Sequence, residues 1–250
     1  MFPELWVFDT YSIMLFIGAF SAIVLFYFYS VNRKFEKTFR LDIEILAVVS
    51  IIVGLGSAML FQWLFDALKG DGEHNHFSMT FFGGLVGGVV MFVFIYIFYI
   101  RKKYPQHRFI EILIIAPACI TLAHAFGRIG CFLAGCCYGK ETDSFLGVKF
   151  PDLPNKVFPT QLFEATFLFI IAGILFYLAM KKDFKYTMPV YLISYGIFRF
   201  MIEFIRGDER GAFILGLSPS QWFSIVALII GIVLIFIIPR KFIDKKDENN

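Results

Sequence analysis

The stretch TMPVYLISYGIFRFMIEFIRGDERG is apolar enough to cross a bilayer, yet it carries Arg199, Glu203 and Arg206. Arg199 and Glu203 are four apart and Glu203 and Arg206 three apart, so one helix face should hold all three. A charge inside a span costs about 2.5–3.5 kcal/mol on insertion scales, and such charges face a cavity or a partner. Two arginines flank one carboxylate. The Glu203–Arg206 pair fits an ion-paired strut, while the surplus charge on Arg199 suits an anionic group such as a lipid phosphate. Arg199 should lie roughly 10 Å inside the outer end of its helix at 1.5 Å rise per residue.

A second group sits in LAHAFGRIGCFLAGCCYGKETD. His124 and Arg128 are four apart and share a helix face. Arg128 should point into the same cavity as Arg199, and His124 is either a satisfied polar residue or a proton acceptor. Gly127, Gly130, Gly135 and Gly139 suggest a tight or re-entrant segment whose backbone can approach a ligand closely. Cys131, Cys136 and Cys137 fit packing thiols, a disulfide, or a thiol whose pKa the nearby cation lowers. Their spacing is not that of a known zinc ligand set, so no metal is expected. Gln161 and Glu164, three apart, follow Pro159 at the start of another span. Tyr11 opens the first span at the same level, where tyrosine commonly anchors the interface. Gly83, Gly84, Gly87 and Gly88 form overlapping small-xxx-small pairs suited to close helix packing.

These side chains need a scaffold, and composition says which kind. Of 250 residues 58% are hydrophobic and 17% charged, with 34 Phe. A soluble domain has about 45–50% apolar and about 25% charged residues. A soluble enzyme, a disordered chain and a disulfide scaffold are therefore excluded, and a net charge of +3 weighs against nucleic-acid binding. The expectation is an all-α integral membrane protein, one polytopic domain over 1–250. Seven spans are expected at about 11–31, 43–68, 80–100, 109–127, 161–180, 187–206 and 218–239, each near the 20 residues a bilayer requires. Fifteen of the 23 basic residues fall in alternate connections, after the first, third, fifth and seventh spans. That bias predicts the N-terminus outside and the C-terminus in the cytoplasm. The first ten residues hold no Lys or Arg, so the first span is not expected to be a cleaved signal peptide.

Four blocks together resemble the prolipoprotein diacylglyceryl transferases of bacterial inner membranes. GRIGCFLAGCCYG at 127–139 is similar to the family's GRxGNFxNxExxG, and FPTQLFE at 158–164 to HPxQLYE. YGIFRFMIEFIRGDERG at 195–211 is similar to YGxxRFxxExxR, and FFGGLVGG at 81–88 to HGGLxG. The opening TYSIMLFIGAF looks like the family's first span. The resemblance implies a multi-pass inner-membrane enzyme without metal or nucleotide cofactor. It implies that the diacylglyceryl group of phosphatidylglycerol, or of a related anionic phospholipid, moves to the lipobox cysteine of a prolipoprotein. Arg128 and Arg199 match the family's essential arginines, which hold the phosphate as it leaves. Glu203 and Arg206 match the pair that orders the site, and Tyr11 and Gly139 match further functional positions. Gly83, Gly84, Gln161 and Glu164 belong to the matching blocks and are expected to bind substrate. The chain departs from the pattern in four places. Phe82 replaces a histidine proposed as the base, Cys131 replaces an asparagine, Gly135-Cys136-Cys137 replaces a glutamate-bearing stretch, and Phe158 replaces a histidine. His124 is therefore expected to take the acceptor's proton. A transferase with another acceptor, or a non-catalytic lipid-binding or transport protein on the same scaffold, remains open at this level.

Overall fold

The computed structural model describes residues 4–5, 8–69, 81–151, 153–181, 184–207 and 216–242. Seven of its helices are long and apolar enough to cross a membrane. A two-residue hairpin, β1 (Glu4–Leu5) with β2 (Phe8–Asp9), precedes α1 (Thr10–Asn32). Asp9 caps α1: it accepts from the Ser12 amide at 2.9 Å and from the Ser12 hydroxyl at 2.6 Å. Those two bonds hold the Asp9 carboxyl below its ordinary range.

Then come α2 (Lys37–Lys69) and α3 (Phe81–Ile95), which a π-turn (Tyr96–Ile100) joins to the short α4 (Arg101–Lys103). The chain continues through α5 (Phe109–Leu133), α6 (Thr160–Met180), α7 (Thr187–Ile202) and α8 (Pro219–Phe242). Helices overrun the expected spans where polar residues flank apolar runs. Lys37 and Arg40 lie in the first turn of α2 rather than in a loop, and Arg101–Lys103 continue the third span. Long basic side chains at such ends can reach the polar interface.

The chain forms two compact units. One comprises residues 30–109. In it α2 and α3 cross closely because glycines face each other: a Cβ on Gly54 would lie 2.9 Å from the Gly84 carbonyl oxygen, and one on Gly83 would lie 2.6 Å from Phe61 Cβ. The Ser57 hydroxyl donates to the Gly83 carbonyl at 2.5 Å. Gly83 and Gly84 thus act in this unit as packing residues. At its polar end Lys103 pairs with Asp42 at 2.7 Å, and the Tyr104 hydroxyl donates to the same carboxylate at 2.9 Å.

The other unit comprises residues 1–29 and 110–250. Gly18 seats α1 on α5, where a Cβ would lie 2.9 Å from the Ala123 carbonyl oxygen. Phe167 and Phe198 stack at 4.0 Å between α6 and α7, and Gly196 and Gly231 bring α7 against α8. Its polarity is inverted relative to a water-soluble core. Phe16 is 73% and Phe236 70% exposed, whereas Thr160, Gln161, Glu164, Arg199 and Arg206 are buried. Such an arrangement suits lipid outside and a polar site within.

Candidate active site

Two structural facts revise the expected layout. First, α5 does not stop at residue 127 but runs to Leu133, so Gly127 and Gly130 are helical rather than part of a re-entrant loop. Gly130 lets α1 approach, since a Cβ there would lie 3.0 Å from Tyr11 Cδ2. Second, α7 ends at Ile202, tightens into a 3₁₀ turn (Glu203–Ile205), and leaves Arg206 extended with φ −74° and ψ 145°. Arg206 therefore does not share a helix face with Glu203.

The ion pairs follow from that turn. Arg199 Nη1 meets Glu203 Oε2 at 2.6 Å, as the four-residue spacing predicts. The Ser218 hydroxyl donates to Glu203 Oε1 at 2.9 Å, and Arg199 Nη2 donates to the Ser220 hydroxyl at 3.0 Å. Between Glu203 and Arg206 the described contact is a backbone bond, from the Arg206 amide to the Glu203 carbonyl at 3.3 Å. Arg206 Nη1 lies instead 3.8 Å from Glu164 Oε2.

Glu164, fully buried on α6, is the centre of the cluster. Arg128 Nε lies 3.0 Å from its Oε2, the Tyr195 hydroxyl donates to its Oε1 at 2.8 Å, and His124 Nε2 stands 3.8 Å from Oε1. The last distance is too long for a hydrogen bond. The His124 ring meets the Tyr195 ring edge-on at 5.5 Å between centroids. Three arginines meet two carboxylates here, and the excess cation lies where Arg128 and Arg206 share Glu164 rather than on Arg199, which Glu203 pairs. Exposure tells the arginines apart: 15% of the Arg128 side chain is open, 8% of Arg199 and 2% of Arg206. Arg128 is thus best placed to meet an incoming anion, and Arg206 the least.

The segment after α5 closes one side of this cluster. Gly135, at φ +73°, ends the helix in a Schellman motif: its amide bonds the Phe132 carbonyl, and the Cys136 amide bonds the Cys131 carbonyl at 3.1 Å. That motif folds Cys136 back over Cys131. Cys137 takes the left-handed conformation at φ 64°, uncommon for a non-glycine residue and found where structure over-determines it. The Sγ atoms of Cys131, Cys136 and Cys137 all lie within 4.8 Å of one another. The neighbouring Cys131 and Cys136 thiols, with the Arg206 and Arg128 guanidiniums, hold Cys137 below the ordinary thiol range. α6 pins this turn: Thr160 Oγ1 donates to the Cys137 carbonyl at 2.9 Å and Gln161 Nε2 to the Cys136 carbonyl at 2.5 Å.

Gly139 and Arg206 form an antiparallel bridge, and a Cβ on Gly139 would stand 2.6 Å from the Ile205 carbonyl oxygen. Gly139→Ala should therefore push the loop off the 3₁₀ turn. We expect a lowered melting temperature in detergent together with weaker activity. A variant as stable as the parent would show that this close approach is dispensable.

The structure thus gathers Tyr11, His124, Arg128, Gly139, Gln161, Glu164, Arg199, Glu203 and Arg206 in one unit, with Gly83 and Gly84 in the other. Sequence reasoning missed Tyr195, Ser218 and Ser220. Tyr195 stands four residues before Arg199, the spacing that could have drawn attention to it. The block at 195–211 extends past Gly207, and its end, 208–211, lies outside the described residues.

Fold and site together define a polytopic membrane protein with a buried cluster of three arginines and two carboxylates. Residues 4–237 match the family model for prolipoprotein diacylglyceryl transferase, and the chain belongs to that family of transferases. It is 32% identical over 237 residues to the phosphatidylglycerol–prolipoprotein diacylglyceryl transferase of Clostridium tetani (strain Massachusetts / E88), covering 89% of this chain and 90% of that one. It is 35% identical over 236 residues to the enzyme numbered 2 under the same name in Clostridium perfringens (strain 13 / Type A), covering 90% and 89%. A third such enzyme, from Chlorobaculum tepidum, is 30% identical over 246 residues, covering 88% and 83%.

Proposed function

We propose that this chain transfers the diacylglyceryl group of phosphatidylglycerol to the lipobox cysteine of a prolipoprotein, in the bacterial inner membrane. The observation that carries the reading is the partly open Arg128 set against buried Glu164, within a cluster that keeps one positive charge in surplus. Family membership supplies the substrates. The acceptor sulfur attacks the glyceryl carbon that bears the phosphate. A C–S bond forms, the C–O bond breaks, and glycerol phosphate leaves with the electron pair. Arg128 and Arg199 are the residues we assign to the phosphate, because charge builds on the departing oxygen and fixed donors there stabilise the transition state.

Glu164 and Glu203 hold those arginines in place, and Arg206 ties the loop after α5 to the cluster. Tyr11, packed at Gly130, and Gln161, bonded to the Cys136 carbonyl, are assigned to substrate binding in this reading. His124 takes the acceptor's proton in this reading. The N-terminus faces outside, which places the charged ends of α5 and α7 in the outer half of the bilayer, where a secreted acceptor arrives. The positive bias of alternate connections supports that orientation.

Complementation tests the function. A strain depleted of its own transferase and expressing this chain should accumulate diacylated lipoprotein. Its absence, with the chain present in the membrane, would argue for another acceptor. His124→Ala tests the base: transfer should fall about 10²–10⁴-fold, the usual worth of a positioned proton acceptor. Undiminished transfer would remove His124 from the mechanism.

A further inference from the structure

Besides the charged cluster, the unit containing α5 and α6 holds a second group of reactive side chains that the phosphate chemistry leaves unused. Three thiols converge at the C-terminal end of α5, with Cys131 buried, Cys137 half-buried and Cys136 exposed. Their convergence is built into the backbone. The Schellman turn at Gly135 returns Cys136 to Cys131, and the left-handed Cys137 turns its side chain to the same point. Thr160 and Gln161 fix both loop carbonyls from α6, and Gln161 Oε1 is buried with no hydrogen-bond partner among the described residues.

Two thiol chemistries fit three convergent sulfurs, and geometry separates them. A disulfide needs sulfurs about 2.05 Å apart and Cα atoms at least about 4.4 Å apart. Cys136 and Cys137 are sequence neighbours, with Cα atoms about 3.8 Å apart across a trans peptide, so that pair is unsuitable. A disulfide from Cys131 would leave the third thiol stranded. A tetrahedral thiolate site with zinc–sulfur bonds of about 2.3 Å sets its sulfurs about 3.8 Å apart. Spacings within 4.8 Å reach that value by small side-chain rotations. Thiolates select zinc among the common divalent cations.

We propose that Cys131, Cys136 and Cys137 bind Zn(II) as a three-thiolate site whose fourth position takes the thiol of the acceptor. The second half of this inference rests on the transferase reading. Three protein ligands and one open position is the pattern of a catalytic rather than a structural zinc site. A thiol that coordinates the metal is deprotonated outright. Its proton passes to the base, His124 in the reading above, and from there to water. The zinc-bound sulfur then forms the C–S bond as the C–O bond to phosphate breaks, and glycerol phosphate carries away the electron pair. Such a site would supply the acceptor activation that the family histidine, Phe82 in this chain, cannot.

The test uses the full chain, purified reduced in detergent, supplied with zinc and dialysed. Metal analysis should find one zinc per chain. X-ray absorption should count three sulfur neighbours, rising to four with a lipobox peptide containing cysteine and staying at three with its serine analogue. The triple variant C131S/C136S/C137S should lose the metal. Cys136→Ser alone, at an exposed position that should not disturb folding, should weaken zinc binding. No zinc in the reduced chain, zinc retained by the triple variant, or a sulfur count indifferent to the cysteine peptide would each overturn the proposal. Metal content and sulfur count are read without turnover. A chain that binds zinc through three sulfurs but yields no diacylated product would count against the transferase reading and not against the site.

Discussion

Replacing Arg128 by Ala should lower diacylglyceryl transfer by about 10²–10³-fold while the helices remain assembled. That is the usual loss when one preorganised donor to developing negative charge is removed. Arg128 has the most open side chain of the three clustered arginines, so it can meet a phosphate without rearrangement. Its removal does not strand Glu164, which keeps the Tyr195 hydroxyl at 2.8 Å and Arg206 at 3.8 Å. The loss should therefore fall on turnover more than on stability. Arg128→Lys retains a charge but not the planar fork that matches a phosphate, so it should recover only part of the rate. Transfer to a cysteine-containing lipobox peptide, followed by mass spectrometry, measures both variants. Equal activity of Arg128→Ala and the parent would detach Arg128 from the chemistry.

Glu164→Gln should act mainly on stability. Glu164 is fully buried and faces Arg128, Arg206 and His124 at once. Glutamine keeps the shape and an acceptor for Tyr195 but removes the negative charge. Two buried guanidiniums then share a space with no compensating carboxylate beside them. Removing one partner of a buried ion pair costs about 3–5 kcal/mol. Melting of the detergent-solubilised chain should fall clearly for Glu164→Gln and much less for Ser220→Ala, whose hydroxyl meets Arg199 and not Glu164. The double variant Glu164→Gln/Arg206→Met should recover part of the loss, because it removes one of the stranded cations. An unchanged melting point for Glu164→Gln would mean that the cluster is not held by this carboxylate.

The seven spans were legible because a bilayer imposes length and polarity directly on the chain. Their ends were less so. Residues 128–133, at the head of a stretch rich in glycine and cysteine, look like the start of a loop, yet Gly130 serves to admit Tyr11 and the helix runs on to Leu133. The surplus cation was legible from charges within apolar runs. The Arg199–Glu203 pair was legible from its four-residue spacing, but the partner of Arg206 was not, because spacing rules assume a continuous helix. The 3₁₀ turn at Glu203 breaks that assumption and sends Arg206 to Glu164. Glu164 itself looked like a boundary residue, and only the meeting of α5, α6 and α7 makes it the centre. The three thiols show the same limit. Their spacing resembles no familiar ligand set, but Gly135 in the left-handed region folds them together.

The central claim is that the cationic cluster splits a phospholipid at its glyceryl–phosphate bond for a thiol acceptor. Purified chain, phosphatidylglycerol labelled in the headgroup glycerol, and a cysteine lipobox peptide test it most directly. Labelled glycerol phosphate and a thioether-linked diacylglyceryl peptide should form in equal amounts, both lost in Arg128→Ala. Folded chain that releases no glycerol phosphate, or releases it without forming the thioether, would contradict it.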